Sequence, residues 1–205
     1  MMQWLKPWAL TVTRVALAVC ATSALAGPVA ERVQSQSVLR VCVWPDYYGV
    51  TYRHPRTQQL GGIDIDLSAE LARDLKARVE YVDSSFPTLI DDLNQDRCDV
   101  AMFAIGMLPQ RMEKLAFTQP YMRSDIYGIT TKTNTVIKQW ADIDKPGVLV
   151  GVQAGTFMEP IMAQRLKQAT LVRIQLPATR ERELTAGRID VFMTDYPYSR
   201  RLMDN

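Results

Sequence analysis

Arg111 is the side chain in this sequence best placed to hold a ligand. It lies two positions after Pro109, which lacks a backbone N–H and has a φ suited to a first helical turn, so a helix is expected to begin at Pro109-Gln-Arg111. Unpaired backbone N–H groups and the positive end of such a helix favour an anion, and a guanidinium adds a two-pronged grip on a carboxylate. Upstream, Asp99 leads an apolar run over residues 100–105 that reads as a strand covered on both faces and ends at Gly106. Open α/β sheets bind ligands beyond the C-terminal ends of such strands. Gln153-Ala-Gly155-Thr156 is a second turn of this kind: Thr156 is expected to cap a helix from Phe157 onward, with nearby N–H groups pointing to an anion.

Other reactive residue types give less. Asp64 and Asp66 stand two apart, so in extended chain they face opposite ways and cannot act as an acid–base pair; they are expected to cap the helix that follows. His54 sits in a polar loop with no orienting carboxylate or nucleophile in view. One histidine and no paired-cysteine spacing leave no readable metal or haem site, and no cofactor is expected. Cys42 lies inside one expected strand and Cys98 just before another, so two buried thiols are expected rather than a bridge.

These residues must be held by alternating strands and helices. Strands are expected at 38–44, 79–82, 100–105, 126–131, 148–152, 171–176 and 191–194, and helices over 67–77, 85–95, 157 onward and 180–186. Such alternation predicts right-handed crossovers and parallel sheets. The loop from Pro45 to Gly49 closes the first strand and carries Tyr47.

The 205 residues are 47% hydrophobic and 22% charged, which suits one compact unit or two small lobes and argues against disorder. Residues 1–26 read as a secretory signal peptide: Lys6 and Arg14 precede an apolar run at 15–19, and Ala24-Leu-Ala26 is a small-x-small cleavage site. Cys20 falls short of a lipobox because Val19 stands where a small residue is wanted. Export to the periplasm follows. Residues 27–37, polar and small, are expected to be a disordered leader. Without the signal the chain is neutral, so nothing electrostatic favours nucleic acid.

Asp99-Val-Ala-Met102, Pro109-Gln-Arg111 and Phe117-Thr-Gln-Pro120-Tyr121 together resemble the core signature of the family-3 solute-binding proteins, the periplasmic amino-acid-binding components of ABC importers. The likeness extends, with interruptions, over residues 38–202. It includes Gly62-Ile-Asp64-Ile-Asp66, Gly155-Thr156 and Gly187-Arg-Ile-Asp190, with Asp195 closing the strand after it. The resemblance implies a two-lobe α/β fold of the type II periplasmic-binding-protein kind, lobe 1 at 38–131 and lobe 2 at 132–205, C-terminally incomplete because the return to lobe 1 is missing. It implies a monomer that captures a small carboxylate-bearing ligand, an amino acid or relative, and presents it to a membrane permease. Arg111 and Thr156 would hold the carboxylate, with backbone at Ala104, Gly106 and Gly155, Asp195 an ammonium, and Tyr47 an apolar part.

Several positions depart from the family pattern. Gly49-Val50 replaces an expected Pro-Phe, Ile63 an aromatic, and Ala104, Gly106 and Leu108 stand where glycine and hydroxyl residues are usual. The ligand is therefore expected to differ from an ordinary α-amino acid. The alternative from another class is an enzyme on the same fold, similar to cyclohexadienyl dehydratase; Asp144-Lys-Pro-Gly147 has some of that character, and Glu159 is the candidate proton donor. A ligand-sensing domain of a receptor is a third reading.

Overall fold

The computed structural model describes residues 27–203. The expected signal peptide, with Cys20, lies outside the described residues. In chain order the elements are α1 (Pro28–Gln36), β1 (Val38–Val43), β2 (Asp46–Tyr47), β3 (Thr51–Arg53), β4 (Leu60–Gly61), α2 (Ile63–Asp74), β5 (Arg78–Asp83), α3 (Leu89–Asn94), β6 (Val100–Ala101), α4 (Pro109–Met112) and β7 (Tyr127–Ile129). A 3₁₀ turn at Trp140–Asp142 then leads to β8 (Leu149–Gln153), α5 (Met158–Arg165), β9 (Thr170–Ile174), α6 (Arg180–Thr185), β10 (Val191–Thr194) and α7 (Tyr196–Met203).

The fold is two-lobed α/β. In lobe 1, β1 is the central strand of a parallel sheet ordered β5-β1-β6, beside a small antiparallel ribbon of β2, β3 and β4. Lobe 2 has the order β7-β10-β8-β9, with β10, β8 and β9 parallel and β7 antiparallel at the edge. Because side chains alternate along a strand, β1 feeds two cores. Leu39, Val41 and Val43 pack with Val33, Ile65 and Ala72, while Cys42 and the adjoining Trp44 pack with Tyr47, Phe86, Leu89 and Phe103.

One device fixes the register in both lobes. Asp99 Oδ2 accepts from the backbone N–H of Arg40 (2.8 Å), and Asp190 Oδ2 accepts from that of Leu149 (2.8 Å). Each aspartate's own N–H returns to the carbonyl of the same residue, at 2.8 and 2.9 Å. The Asp-Arg-Cys-Asp99 and Gly-Arg-Ile-Asp190 motifs are thus strand-pairing clasps, one joining the start of β6 to β1 and the other the start of β10 to β8.

Four expectations need correction. Residues 27–37 are not a disordered leader: Pro28 opens α1, and Val33 buries against Leu39 and Val41, which gives this short helix a reason to order. Cys42 and Cys98 are bridged, with Cα atoms 5.6 Å apart. They meet because β6 pairs directly with β1, so the segment entering β6 runs beside Cys42. The strand expected over 100–105 pairs only at Val100–Ala101; beyond a last bond from Met102 N–H to Cys42 O, the chain turns at Ala104, whose φ is +50°. The segment expected at 126–131 to leave lobe 1 as an extended strand is paired at Tyr127–Ile129 with β10 of lobe 2.

Candidate functional site

Arg111 belongs to a helix of one turn, α4, whose N-cap position is Leu108 with no side-chain cap. The residue is 5% exposed, and its guanidinium lies over the Phe86 ring at 5.5 Å. Nη1 donates to Gly106 O in the same lobe (2.8 Å) and Nη2 donates to Gly155 O in lobe 2 (2.5 Å). Burial lowers its pKa to about 10, so the group stays cationic at neutral pH. The arginine therefore ties the two lobes through backbone oxygens.

Two glycines allow that approach. A Cβ on Gly155, where φ is +76°, would lie 3.0 Å from backbone atoms of Phe86 and Pro87; one on Gly106 would lie 3.0 Å from Cβ of Phe157. Thr156 is buried, but it does not cap α5 as expected: its hydroxyl donates to Gln153 O (2.7 Å), and Phe157 occupies the N-cap position. Glu159 Oε2 instead accepts from Gly155 N–H (2.8 Å), while Oε1 accepts from Arg173 Nε (2.6 Å). The anion at this helix start is the protein's own.

Tyr47 is buried rather than an open stacking wall. It packs against Trp44, Phe86 and Tyr198 and donates its hydroxyl to Asp195 Oδ2. Burial and the neighbouring Asp195 carboxylate push the phenol's pKa well above its ordinary value. Asp195 is 4% exposed, and its Oδ1 accepts from Tyr198 N–H (2.9 Å), capping α7. This carboxylate therefore serves the helix and the tyrosine together.

Asp64 and Asp66 were expected to cap α2, but Gly62 holds the N-cap position without a side-chain bond. Asp64, fully buried, turns inward: it accepts from Ala104 N–H (2.7 Å) and from the Tyr121 hydroxyl (2.7 Å). The strained turn at Ala104 is thereby fixed, and Ala104 N–H is already bonded.

Between the lobes lies a cavity of about 590 Å³. Of the expected site residues, Tyr47, Ala104, Gly106 and Asp195 line it; Phe117, Tyr121, Arg123, Asp125 and Phe157 complete much of its wall. Arg111 and Gly155 meet outside it. Thr156 borders a much smaller void, about 10 Å³, with Trp44, Tyr47, Phe86, Arg180 and Asp195. The sequence reading missed Phe86 as the floor beneath Arg111, and missed Arg180 and Arg123 altogether. Phe86-Pro-Thr-Leu89 was visible only as a helix start, and a lone arginine at the start of α6 carries no local signal. Among the described residues no group of three His, Cys, Asp or Glu side chains is arranged to hold a metal, and no helix is long and apolar enough to cross a membrane.

Residues 39–146 match the family described as bacterial extracellular solute-binding proteins, family 3. The chain belongs to this family. Among curated relatives it is 32% identical to cyclohexadienyl dehydratase of Pseudomonas aeruginosa over 168 residues, covering 80% of this chain and 62% of that protein. Among solved structures it is similar to the ancestral amino acid-binding protein AncCDT-1, described as a precursor of cyclohexadienyl dehydratase, at 30% identity and a TM-score of 0.75, over 81% of this chain and 73% of that one. It is also similar to holo ArgBP from T. maritima, at 25% identity and a TM-score of 0.75, over 85% and 76%. The chain spans 62% and 46% of the lengths of the first two curated relatives it matches.

Proposed function

We propose that this chain captures a small amino acid or related carboxylate between its lobes, in the periplasm, and that the closed form is what an ABC permease recognises. The observation that carries the reading is the bridge from Arg111 to Gly155 across the cleft: one buried cation of lobe 1 already engages the helix start of lobe 2. A ligand carboxylate would replace Gly155 O as the acceptor and leave Asp195, on the cavity wall, for an ammonium group. Only closure brings both halves to one ligand, so binding favours the closed lobes. Family membership and the amino-acid-binding protein AncCDT-1 among the similar structures support this reading.

The dehydratase-like alternative is favoured by the relative from Pseudomonas aeruginosa. It needs a carboxylic acid in the cleft as proton donor. Glu159 is a poor one, because both its oxygens already accept hydrogen bonds, one of them from a cation. On this structure the acids lining the cavity are Asp125 and Asp195.

Thermal-shift titration of the chain against amino acids, dicarboxylates and cyclic carboxylates, repeated with Arg111→Ala, tests the reading. A carboxylate that stabilises the parent and loses at least tenfold in affinity in the variant is the expected result. A stabilising ligand unaffected by Arg111→Ala sinks the placement of the site. Turnover of a cyclic carboxylate by dehydration, followed by ultraviolet absorbance, would replace binding with catalysis.

A further inference from the structure

The polar groups expected to hold a ligand are already matched by the protein itself. Arg111 donates to Gly106 O and Gly155 O, Gly155 N–H donates to Glu159, and the Thr156 hydroxyl donates to Gln153 O. Asp195 accepts from the Tyr47 hydroxyl and from Tyr198 N–H. Two of these matches cross from one lobe to the other: Arg111 to Gly155 and Tyr47 to Asp195. In the second both partners are side chains, each 4% exposed.

Tyr47 and Asp195 also form a partition. With Phe157 they line both the cavity of about 590 Å³ and the void of about 10 Å³, whereas Thr156 borders the void but not the cavity. A void of that size has room for one water at most. A ligand in the cavity therefore meets Thr156 only once the partition opens. A tyrosine suits such a movable wall. Its hydroxyl donates to a carboxylate as an ammonium does but carries no charge, so a ligand cation offers Asp195 the stronger bond. Its ring is held separately, against Trp44 and Phe86 of its own lobe with centroids 5.4 and 6.1 Å away.

We propose that Tyr47 is an autoinhibitory latch: its hydroxyl stands in for the ligand's cationic group on Asp195, holds the lobes together without a ligand, and must be displaced when one is taken. The identity of the displacing group rests on the cleft reading above, whereas the closure that the latch enforces does not. Apparent affinity is then the intrinsic affinity scaled down by the fraction of chains that are unlatched.

Tyr47→Phe keeps the ring and removes the donor. Parent and variant are compared by solution scattering, and by calorimetric titration with each amino acid of the panel that stabilises the parent. Without ligand the variant is expected to have the larger radius of gyration, and it alone is expected to compact when ligand is added. Titration is expected to give at least threefold tighter binding to the variant. Equal unliganded radii, a parent that compacts on ligand addition, or binding to the variant that is not at least threefold tighter each overturns the latch while leaving the cleft reading standing; weaker binding would make Tyr47 a ligand contact. If nothing in the panel binds, the cleft reading fails and unliganded scattering alone decides whether Tyr47 holds the lobes together. Should Tyr47→Phe fail to fold by circular dichroism, Asp195→Asn, which weakens the same hydrogen bond, takes its place in that scattering comparison.

Discussion

Nη2 of Arg111, a side chain of lobe 1, donates to the carbonyl of Gly155 in lobe 2 across 2.5 Å, while Nη1 holds Gly106 of its own lobe at 2.8 Å. One buried guanidinium thus joins the loop after β6 in lobe 1 to the turn that precedes α5 in lobe 2. Both acceptors are backbone oxygens, so the bridge depends on the fork of Arg111 and on main-chain placement rather than on a partner's side chain.

Replacing Arg111 leaves two carbonyls without their donor. Arg111→Ala is expected to lower stability by about 1.5–3 kcal/mol, the range for a hydrogen bond to a charged group. Arg111→Lys should recover only part of that, because a point ammonium cannot present two parallel N–H groups. Urea denaturation of the three proteins measures it, and a lysine variant as stable as the parent would show that the fork geometry is irrelevant.

Gly155 and Gly187 form a matched pair for isolating the contact between lobes. Both have positive φ, +76° and +66°, but a Cβ at Gly155 meets lobe 1 backbone at 3.0 Å whereas one at Gly187 meets nothing within 4 Å. Gly187→Ala should lose about 1–2 kcal/mol for the left-handed conformation alone. Gly155→Ala should lose that and also push the lobes apart, read as a larger drop in melting temperature and a greater radius of gyration in solution scattering. Equal losses, with unchanged scattering, would count against a tight interlobe contact at this point.

The bridge between Cys42 and Cys98 closes a long loop, with a sequence separation of 56. In the chain-entropy account its removal should cost roughly 4 kcal/mol. The double variant Cys42→Ala, Cys98→Ala, compared with the oxidised parent by denaturant titration, checks the size. A chemically quantified free thiol content of two in the non-reduced, denatured protein without residues 1–26, and so without Cys20, would reject the bridge itself.

That bridge also shows where sequence reading reaches its limit. The strand at 38–44 and the motifs around Asp99 and Asp190 were legible because an apolar run and a local motif are properties of neighbouring residues. The order β5-β1-β6 is not: nothing near Cys98 says that its segment lies beside β1, so the two thiols looked distant. The site divides in the same way. Arg111 was singled out from Pro109 and the preceding apolar run, whereas Asp195 was singled out only through the family resemblance. Asp64 was misread, because its partners Ala104 and Tyr121 are far along the chain and the exposed role of capping was the nearest local use for an aspartate. Arg180 carried no local signal because its partners, Met193 O and the rings of Phe192 and Tyr198, come from β10 and α7.

Asp64 is also where the fold should respond to pH. Desolvation raises its pKa above the ordinary 3.8, and the hydrogen bonds from Tyr121 and Ala104 offset only part of that. A carboxyl with a raised folded-state pKa binds its proton more tightly in the native chain than in the unfolded one, so its contribution to stability is greatest below 3.8. As pH rises from 3.8 through the raised value, the unfolded chain ionises first, stability falls, and the loss then levels off. Asp64→Asn keeps an oxygen for Ala104 N–H and has no charge to bury, so this decline should disappear. The urea midpoint of parent and variant, followed from pH 3.5 to 7, gives the test, reading the difference between the two proteins so that other groups cancel. The variant should gain on the parent as pH rises across that window. A difference that is flat, or that moves in the parent's favour, would mean that the carboxylate's bonds to Ala104 and Tyr121 outweigh its burial.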